Sequence, residues 1–366
     1  MDRVKVGIIG TGKIFPAYMQ GMSEFLVLDV VACADIIPER AQQFAQEHNL
    51  KAMSVDELLA DPDIAIVVNL TIPAAHAEIA LKVIEAGKSV YNEKPLATTA
   101  ADAKKILDAA AAKGVRIGCA PDTFLGGGLQ TSRKLLDDGA IGTPVAAAAF
   151  VMSHGPESWH PNPDFFYKFG GGPLWDMGPY YLTALMTLFG PIKRIAASSK
   201  ISFEERIATS QALNGHKIQV EVPTHNAGVL EFVSGPVASM IASFDVHAHS
   251  LLPRIEIYGS EGTLSVPDPN TFGGPVKVYT PSRDWEEIPL THSDTVSRGI
   301  GVADMAYALR INREHRASGQ QAYHVVEAME AFYKSSETGQ FVELTSLYER
   351  PASLPVGLKQ GELDKS

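Results

Sequence analysis

Val4-Lys5-Val6-Gly7-Ile8-Ile9-Gly10-Thr11-Gly12-Lys13-Ile14-Phe15 runs a β-branched apolar stretch into a glycine turn and then into a helical pattern. A strand that is apolar throughout is buried on both faces, and a glycine turn leading into a helix is how a parallel crossover begins. The same rhythm recurs downstream. Apolar strand patterns at 29–34, 64–70, 89–92 and 115–119 alternate with helical patterns at 14–22, 38 onward, 74–86 and 99–113. The punctuation agrees: Pro38 suits a first helical turn, Ser54 and Glu57 have capping-box spacing, and Gly87 and Gly114 stop helices. This alternation predicts a doubly wound parallel α/β sheet, a Rossmann-type domain over 1–121.

Beyond Pro121 the pattern changes. One more helix is expected at 124–139. Strand-like runs then dominate at 145–152, 192–202, 217–222, 227–233, 237–246, 253–258 and 275–280. Asn214-Gly215, Ser234-Gly235-Pro236 and Gly259-Ser260-Glu261-Gly262 separate them as turns, so a large, mainly antiparallel open sheet is expected in an α+β domain over 122–366. Helices at 300–318 and 323–338 follow, with the option of packing back on the first domain. The Pro-rich, charged stretch from Arg350 reads as a loosely ordered tail.

Composition limits the function classes. The 366 residues are 45% hydrophobic and 20% charged, enough for a large core, and 31 basic against 42 acidic side chains leave a formal charge of −11. Such a chain has no general attraction to phosphate backbones or anionic membranes, so neither nucleic acid nor membrane is expected as a partner. No apolar run approaches the roughly 18 residues of a spanning helix, and the N-terminus does not read as a secretory signal. Two cysteines, Cys33 and Cys119, make no disulfide framework. A cytoplasmic protein of enzyme size is expected.

The Gly10-Thr11-Gly12-Lys13-Ile14 loop suits a dinucleotide, because Gly-x-Gly lets a pyrophosphate approach the N-terminal N–H groups of the helix. The third glycine position is Phe15, which breaks the strict pattern. Asp35, 25 positions after Gly10 at the end of the second strand, can accept hydrogen bonds from a ribose 2′-hydroxyl and repel a 2′-phosphate. That favours NAD over NADP, with Arg40 close enough in sequence to serve a phosphate instead. Glu93-Lys94-Pro95 ends a parallel strand at its carboxyl edge, where open α/β sheets bind ligands. Lys94 there can bind a substrate hydroxyl and pass its proton, or simply pair with Glu93.

With these segments, Asn69-Leu70-Thr71-Ile72-Pro73-x-x-His76 and Gly170-Gly171-Gly172-Pro173-Leu174-x-Asp176-x-Gly178 complete a set whose order resembles the Gfo/Idh/MocA family of oxidoreductases. The resemblance implies a Rossmann domain followed by an α+β domain whose open sheet often forms the interface of a homodimer or homotetramer. It implies reversible hydride transfer between NAD and a carbon of a sugar, glycoside or cyclitol. Lys94 would be the catalytic lysine, with a Lys-Pro bond that is often cis. Leu70, Thr71 and Glu93 would belong to the cofactor side, Pro73 and His76 would lie near the nicotinamide, and Asp176 would bind substrate.

Many members carry a histidine four residues after that aspartate, where this chain has Tyr180. If a helix starts here, Asp176 and Tyr180 share a face. A tyrosine titrates near 10 rather than near 6.5, so Tyr180 acts either as a phenolate beside Lys94 or as a hydrogen-bonding group only. The loop Ser153-His154-Gly155-Pro156-Glu157-Ser158-Trp159-His160 and onward to Tyr167 concentrates rings and polar groups as sugar sites do. His160, then His154, are the candidate substitutes for the missing histidine, with Trp159 a stacking face; simple packing of the loop is the competing reading. Asp122, past the last strand of the first domain, is a candidate for cofactor or substrate contact or else for linker packing. Asp245-x-His247-x-His249 on a strand has a spacing that could seat zinc, but a polar sheet face is favoured and no metal is expected. Arg298, before Gly299, either reaches the cleft or, as is more usual, is solvated, and Gly126-Gly127-Gly128 lacks the Lys-Ser/Thr ending of a phosphate loop. The leading activity is NAD-dependent oxidation of a secondary alcohol. An NAD-dependent glycosidase acting by transient oxidation and elimination, and a non-catalytic NAD sensor, are the alternatives.

Overall fold

The computed structural model describes residues 3–248 and 250–364. The chain divides into two compact units. The first takes the chain up to Gln130, then Thr291–Tyr323 and the residues from Pro351 onward; the second takes Thr131–Leu290 and His324–Arg350. A single boundary after 121 therefore does not describe it, because the chain returns to its first unit twice.

In the first unit six strands form one parallel sheet: β1 (Val4–Ile9), β2 (Leu28–Ala34), β3 (Lys51–Ala52), β4 (Ile64–Asn69), β5 (Ser89–Asn92) and β6 (Ile117–Cys119). Their order is β3-β2-β1-β4-β5-β6. Helices α1 (Phe15–Ser23), α2 (Pro38–His48), α3 (Val55–Ala60), α4 (His76–Glu85) and α5 (Ala100–Lys113) connect them. The order reverses between β1 and β4, and such a switch point opens a crevice at the carboxyl ends of the strands. Val6, Ile8, Val67 and Val68 are fully buried, as strands covered on both faces require. Ser54 and Glu57 form the expected capping box, and Thr99 accepts from the Asp102 amide to start α5. Phe15, at the missing third glycine, is fully buried, with its ring 5.0 Å from Phe44 and 5.6 Å from His48. The helix packs through that ring where other sequences use a glycine.

Helix α6 (Gly127–Asp137) leads to the second unit. There β7 (Pro144–Met152), α7 (Gly172–Phe189), β8 (Ile192–Lys200), β9 (Glu205–Ile207), β10 (Lys217–Gln219), β11 (His225–Phe232), β12 (Val237–Ser243), β13 (Ile255–Gly259), β14 (Thr263–Val266), β15 (Val276–Thr280) and β16 (Arg283–Ile288) follow in order. Helices α8 (Ile300–Ile311) and α9 (Gly319–Thr338) and strand β17 (Val342–Glu343) come last. The large sheet runs β16-β15-β14-β13-β7-β12-β11-β8-β17, and only its β7–β12 pair is parallel. One face buries Ala147, Ala149, Ala238, Met240 and Ala242, with α7 packed on β7, β11 and β12. The two sheets give the expected fold class.

Several expectations need correction. The helix expected at 300–318 stops at Ile311, where Asn312 takes a left-handed conformation (φ 51°). Strand β16 has a burial pattern that is almost wholly exposed, so it lacked the apolar alternation of a buried strand, as sheet-edge strands do. The stretch after Arg350 is not loose. Leu354 and Leu363 are buried, and Asp364 pairs with Arg313 and Arg316, which also hold the fully buried Asp304. Strand β12 ends at Ser243, so Asp245 and His247 do not alternate on it; Asp245 is held by Arg206 and Thr224, and His249 lies outside the described residues.

In the second unit His324 is buried between two fixed partners. Its Nε2 accepts the Ile192 amide at 2.9 Å and its Nδ1 faces Ser346 Oγ at 2.7 Å, an arrangement that requires the neutral ring. Burial pushes its pKa down to about 4, against the pull of Glu327. The unfolded chain binds a proton there near pH 6.5 and the folded chain does not, so stability falls as pH drops from about 6.5 toward 4. Denaturant titrations should show wild type losing about 2 kcal/mol more than His324→Gln between pH 7 and 4.5. Equal losses in the two proteins would refute this assignment.

Candidate active site

A cleft of about 480 Å³ opens at the carboxyl edge of the first sheet, lined by Ile9, Gly10, Gly12, Asp35, Leu70 and Thr71 among others. These are the residues at which β1, β2 and β4 end, so the topology brings them together. Gly10 has φ +99°, and a Cβ there would sit 2.7 Å from the carbonyl of Leu70. Only glycine allows this close crossing of the two loops. A Cβ on Gly12 would meet nothing within 4 Å, and Ile14, which starts α1, brings no side-chain cap. Open space beside an uncapped helix start suits a pyrophosphate. Lys13 is exposed and Ile14 half-buried beside it.

Asp35 holds this loop in shape. Its Oδ2 accepts the Thr11 amide at 2.7 Å and the Thr11 hydroxyl at 2.9 Å, while Oδ1 accepts the Ile37 amide at 2.9 Å. Oδ1 keeps one further acceptor site, and the side chain lines the cleft at the β2 end, where open sheets of this kind hold a ribose. Arg40 lines the same cleft. The donor and acceptor set therefore fits the adenosine and pyrophosphate half of NAD.

Behind the cleft the polar residues of the strand ends satisfy one another. Asn69 Nδ2 donates to Asn92 Oδ1 (3.0 Å) and to the His76 carbonyl (3.2 Å), and Asn69 Oδ1 accepts from the Thr71 hydroxyl (2.7 Å). Asn92 Nδ2 reaches the Leu96 carbonyl at 3.2 Å. His76 is buried and faces two carbonyl oxygens, Pro95 at 2.6 Å and Thr71 at 3.0 Å. Only a doubly protonated ring donates to both, and burial works against that form, so its pKa is lowered. Pro73 opens the short turn that leads into α4, half-buried.

Glu93 is also buried. Its Oε1 accepts the Tyr18 hydroxyl at 2.8 Å and its Oε2 the Lys94 amide at 2.8 Å, and the Lys94-Pro95 bond is cis. Burial, then the Glu93 charge, raise the Tyr18 pKa well above its ordinary value, which keeps that hydroxyl a donor. Glu93 thus sits behind the lysine and ties α1 to it, and Lys94 itself is half-buried. Asp122 reaches neither cofactor cleft nor solvent. It is fully buried and its Oδ2 accepts the Gly299 and Gly301 amides at 2.8 and 3.0 Å, so it fixes the start of α8. Burial raises its pKa, while those two amides and Arg298 pull it down; Arg298 is half-buried there rather than solvated.

In the second unit α7 does begin at the glycine motif, which places half-buried Asp176 and buried Tyr180 one turn apart on it. The 153–167 loop is an aromatic cluster. The His160 ring lies 5.3 Å from Trp159, 5.3 Å from Phe165 and 4.9 Å from Phe166, and Trp159 is 59% exposed. His160 Nδ1 faces both the Asn162 carbonyl at 2.8 Å and the Asn162 amide at 3.0 Å, which ties the ring to its own turn. Exposed His154 packs edge-on to His247 at 4.6 Å, and burial followed by the Arg206 charge lowers its pKa. Among the described residues no group of three or more His, Cys, Asp or Glu forms a metal site. Tyr18, Asn92 and Thr11 were not singled out from the sequence. Only the fold reveals which carboxylate or amide side chain each one satisfies.

Residues 4–120 match the model of an oxidoreductase family with an NAD-binding Rossmann fold, and residues 129–265 match the C-terminal domain model of the same family. The chain is 26% identical to levoglucosan dehydrogenase of Pseudarthrobacter phenanthrenivorans, over 72% of this chain and 73% of that protein. It is 25% identical to D-apiose dehydrogenase of Paraburkholderia graminis, over 96% and 93%. A solved levoglucosan dehydrogenase in complex with NADH and L-sorbose shares the fold at a TM-score of 0.79 and 21% identity, covering 94% of this chain and 99% of that one. With the N-terminal and C-terminal domain models of one family matched in order along it, the chain belongs to the Gfo/Idh/MocA family of NAD-binding oxidoreductases.

Proposed function

We propose that this protein oxidises a secondary hydroxyl of a sugar, glycoside or cyclitol to the ketone, and reduces the ketone in the reverse direction. The observation that carries the reading is the strand end at Glu93-Lys94-Pro95, where a half-buried lysine is anchored through its own amide at the carboxyl end of β5, the neighbour of the cleft-lining β4. Relatives named for sugars, among them the levoglucosan and D-apiose dehydrogenases, support the substrate class. Bound NAD⁺ supplies the hydride acceptor. Lys94, as the neutral amine, takes the hydroxyl proton while the same carbon gives up hydride. Asp176 accepts hydrogen bonds from sugar hydroxyls, and Tyr180 donates one. His154, Trp159 and His160 supply a ring face and polar edges to the sugar, with His160 the second candidate for the proton. Asp35 binds the adenosine ribose, and preference for NAD over NADP follows from its charge.

We place the protein in the cytoplasm as a homodimer or homotetramer. Both thiols are buried and unbridged, which suits a reducing compartment; fractionation that finds the protein outside the cytosol would end that reading. On the uncovered face of the large sheet Val229, Val237 and Tyr258 are about two-fifths exposed, next to Ala146, Ala148, Phe150 and Ile241. Flat apolar sheet faces of this kind suit a second copy. Light scattering should give two or four times the 39.3 kDa chain mass, and Ile241→Asp should lower it; a monomeric wild type would refute the assembly.

Turnover is tested by NADH absorbance with levoglucosan, D-apiose, myo-inositol and aryl glycosides. NAD⁺ should exceed NADP⁺ by at least about tenfold in kcat/KM, and Asp35→Ser should narrow that ratio. Equal rates with both cofactors would remove the assigned role of Asp35, and aglycone release without net NADH would point to the glycosidase chemistry. Lys94→Ala should lower kcat by about 10³-fold or more while NADH still binds, and Asp176→Asn should cut kcat/KM by about 10²-fold. A Lys94→Ala enzyme with wild-type kcat would overturn the mechanism.

A further inference from the structure

Arg206 stands on β9, in an insertion between β8 and β11 that carries none of the sequence motifs. Its side chain is almost wholly buried, yet its N–H groups are spread over four acceptors. Nε donates to Glu157 Oε1 at 2.6 Å and Nη1 to Asp245 Oδ1 at 2.8 Å, while Nη2 donates to the carbonyls of His154 at 2.5 Å and Phe244 at 3.1 Å. Glu157 is itself buried, and Asp245 Oδ2 accepts the Thr224 hydroxyl at 2.7 Å. A charge at this depth is tolerated because it is paired with two carboxylates and makes four hydrogen bonds. The planar fork of arginine reaches acceptors in several directions at once, which the single ammonium of lysine cannot reproduce.

The acceptors belong to two pieces of chain. Glu157 and His154 open the aromatic loop, whereas Phe244 and Asp245 follow the end of β12. Thr209 and Ser210, just beyond β9, donate their amides to the Glu157 carbonyl, each at 3.1 Å. At the far end of the loop Phe166 and Tyr167 pack in one apolar cluster with Ala208, Ile218, Val220 and Phe244. The loop is therefore clamped at its start by one guanidinium and at its end by an apolar cluster, and the span between carries Trp159 and His160.

We propose that Arg206 is a positioning residue that fixes this loop in its sugar-receiving form and so sets sugar affinity without touching the sugar. The inference rests on the reading of the loop as a sugar site given under Proposed function. It explains why a surface loop rich in exposed rings is built over a buried ion cluster instead of a purely apolar base.

Arg206→Lys keeps the charge and removes the fork. With the panel sugar that wild type turns over fastest, its KM for the sugar should rise at least about tenfold, with kcat within about threefold and the KM for NAD⁺ within about twofold. Hydrogen exchange of 153–170 should quicken by about tenfold or more while the Rossmann strands keep their protection. Glu157→Gln should move the same two readouts in the same direction, which covers failure of the first variant to fold. Unchanged loop exchange, or a parallel fall in kcat, NADH binding and melting temperature, overturns the proposal. Faster loop exchange with an unchanged sugar KM also overturns it, and Trp159→Ala then locates the fault. If Trp159→Ala raises the sugar KM, the loop binds sugar and only the role of Arg206 fails; if it does not, the sugar-loop reading fails as well.

Discussion

A parallel sheet buried on both faces leaves polar chemistry only at its ends, and there every buried donor and acceptor has to be met. In this protein the β4 and β5 ends meet that demand with one another. The Asn69 amide bridges to Asn92 and to the start of α4, Asn92 closes on the turn after Pro95, and the imidazole of His76 stands between the two turns. Glu93 extends the network to α1 through Tyr18 and to the Lys94 amide. The backbone of the lysine that does the proposed chemistry is placed by this set of bonds. Partial loss of such a network leaves buried groups unsatisfied, which ties cofactor loop and catalytic turn to one condition.

The second unit solves a different problem by a related means. Its large sheet offers a floor, but the ring face proposed for a sugar has to stand at an open surface. The loop that supplies the rings is long and exposed, and it is held by a buried charge and a small satellite core. In both units buried polar groups act as fasteners for segments that reach solvent, while the apolar cores make the platforms.

The alternation of strands and helices in the first 120 residues was legible because period and punctuation agree there: Pro38, Ser54 with Glu57 and Gly114 all mark real helix ends. The cofactor cleft was legible for the same reason, since Gly10, Gly12 and Asp35 stand at strand ends fixed by that alternation. The roles of His76 and Asp122 were not. A histidine or aspartate beside a site reads alike whether it faces ligand or carbonyl, and only three-dimensional neighbours decide. The edge strand β16 and the packing of the chain after Arg350 escaped because polar edges and proline-rich stretches lack periodicity, though Leu354 and Leu363 are anchors once seen. Arg206 escaped because its four acceptors come from two pieces of chain distant from it in sequence.

That closing stretch has a consequence for how the protein comes to be. The nucleotide-binding unit is assembled from three separated pieces, and the salt links of Arg313 and Arg316 to Asp364 belong to the last of them. A ribosome delivers residues in order, so most of the other unit emerges before this one can be finished. The dinucleotide-binding unit is begun before the other and closed after it, and its helix α8 waits for partners that follow the whole of that second unit out of the exit tunnel.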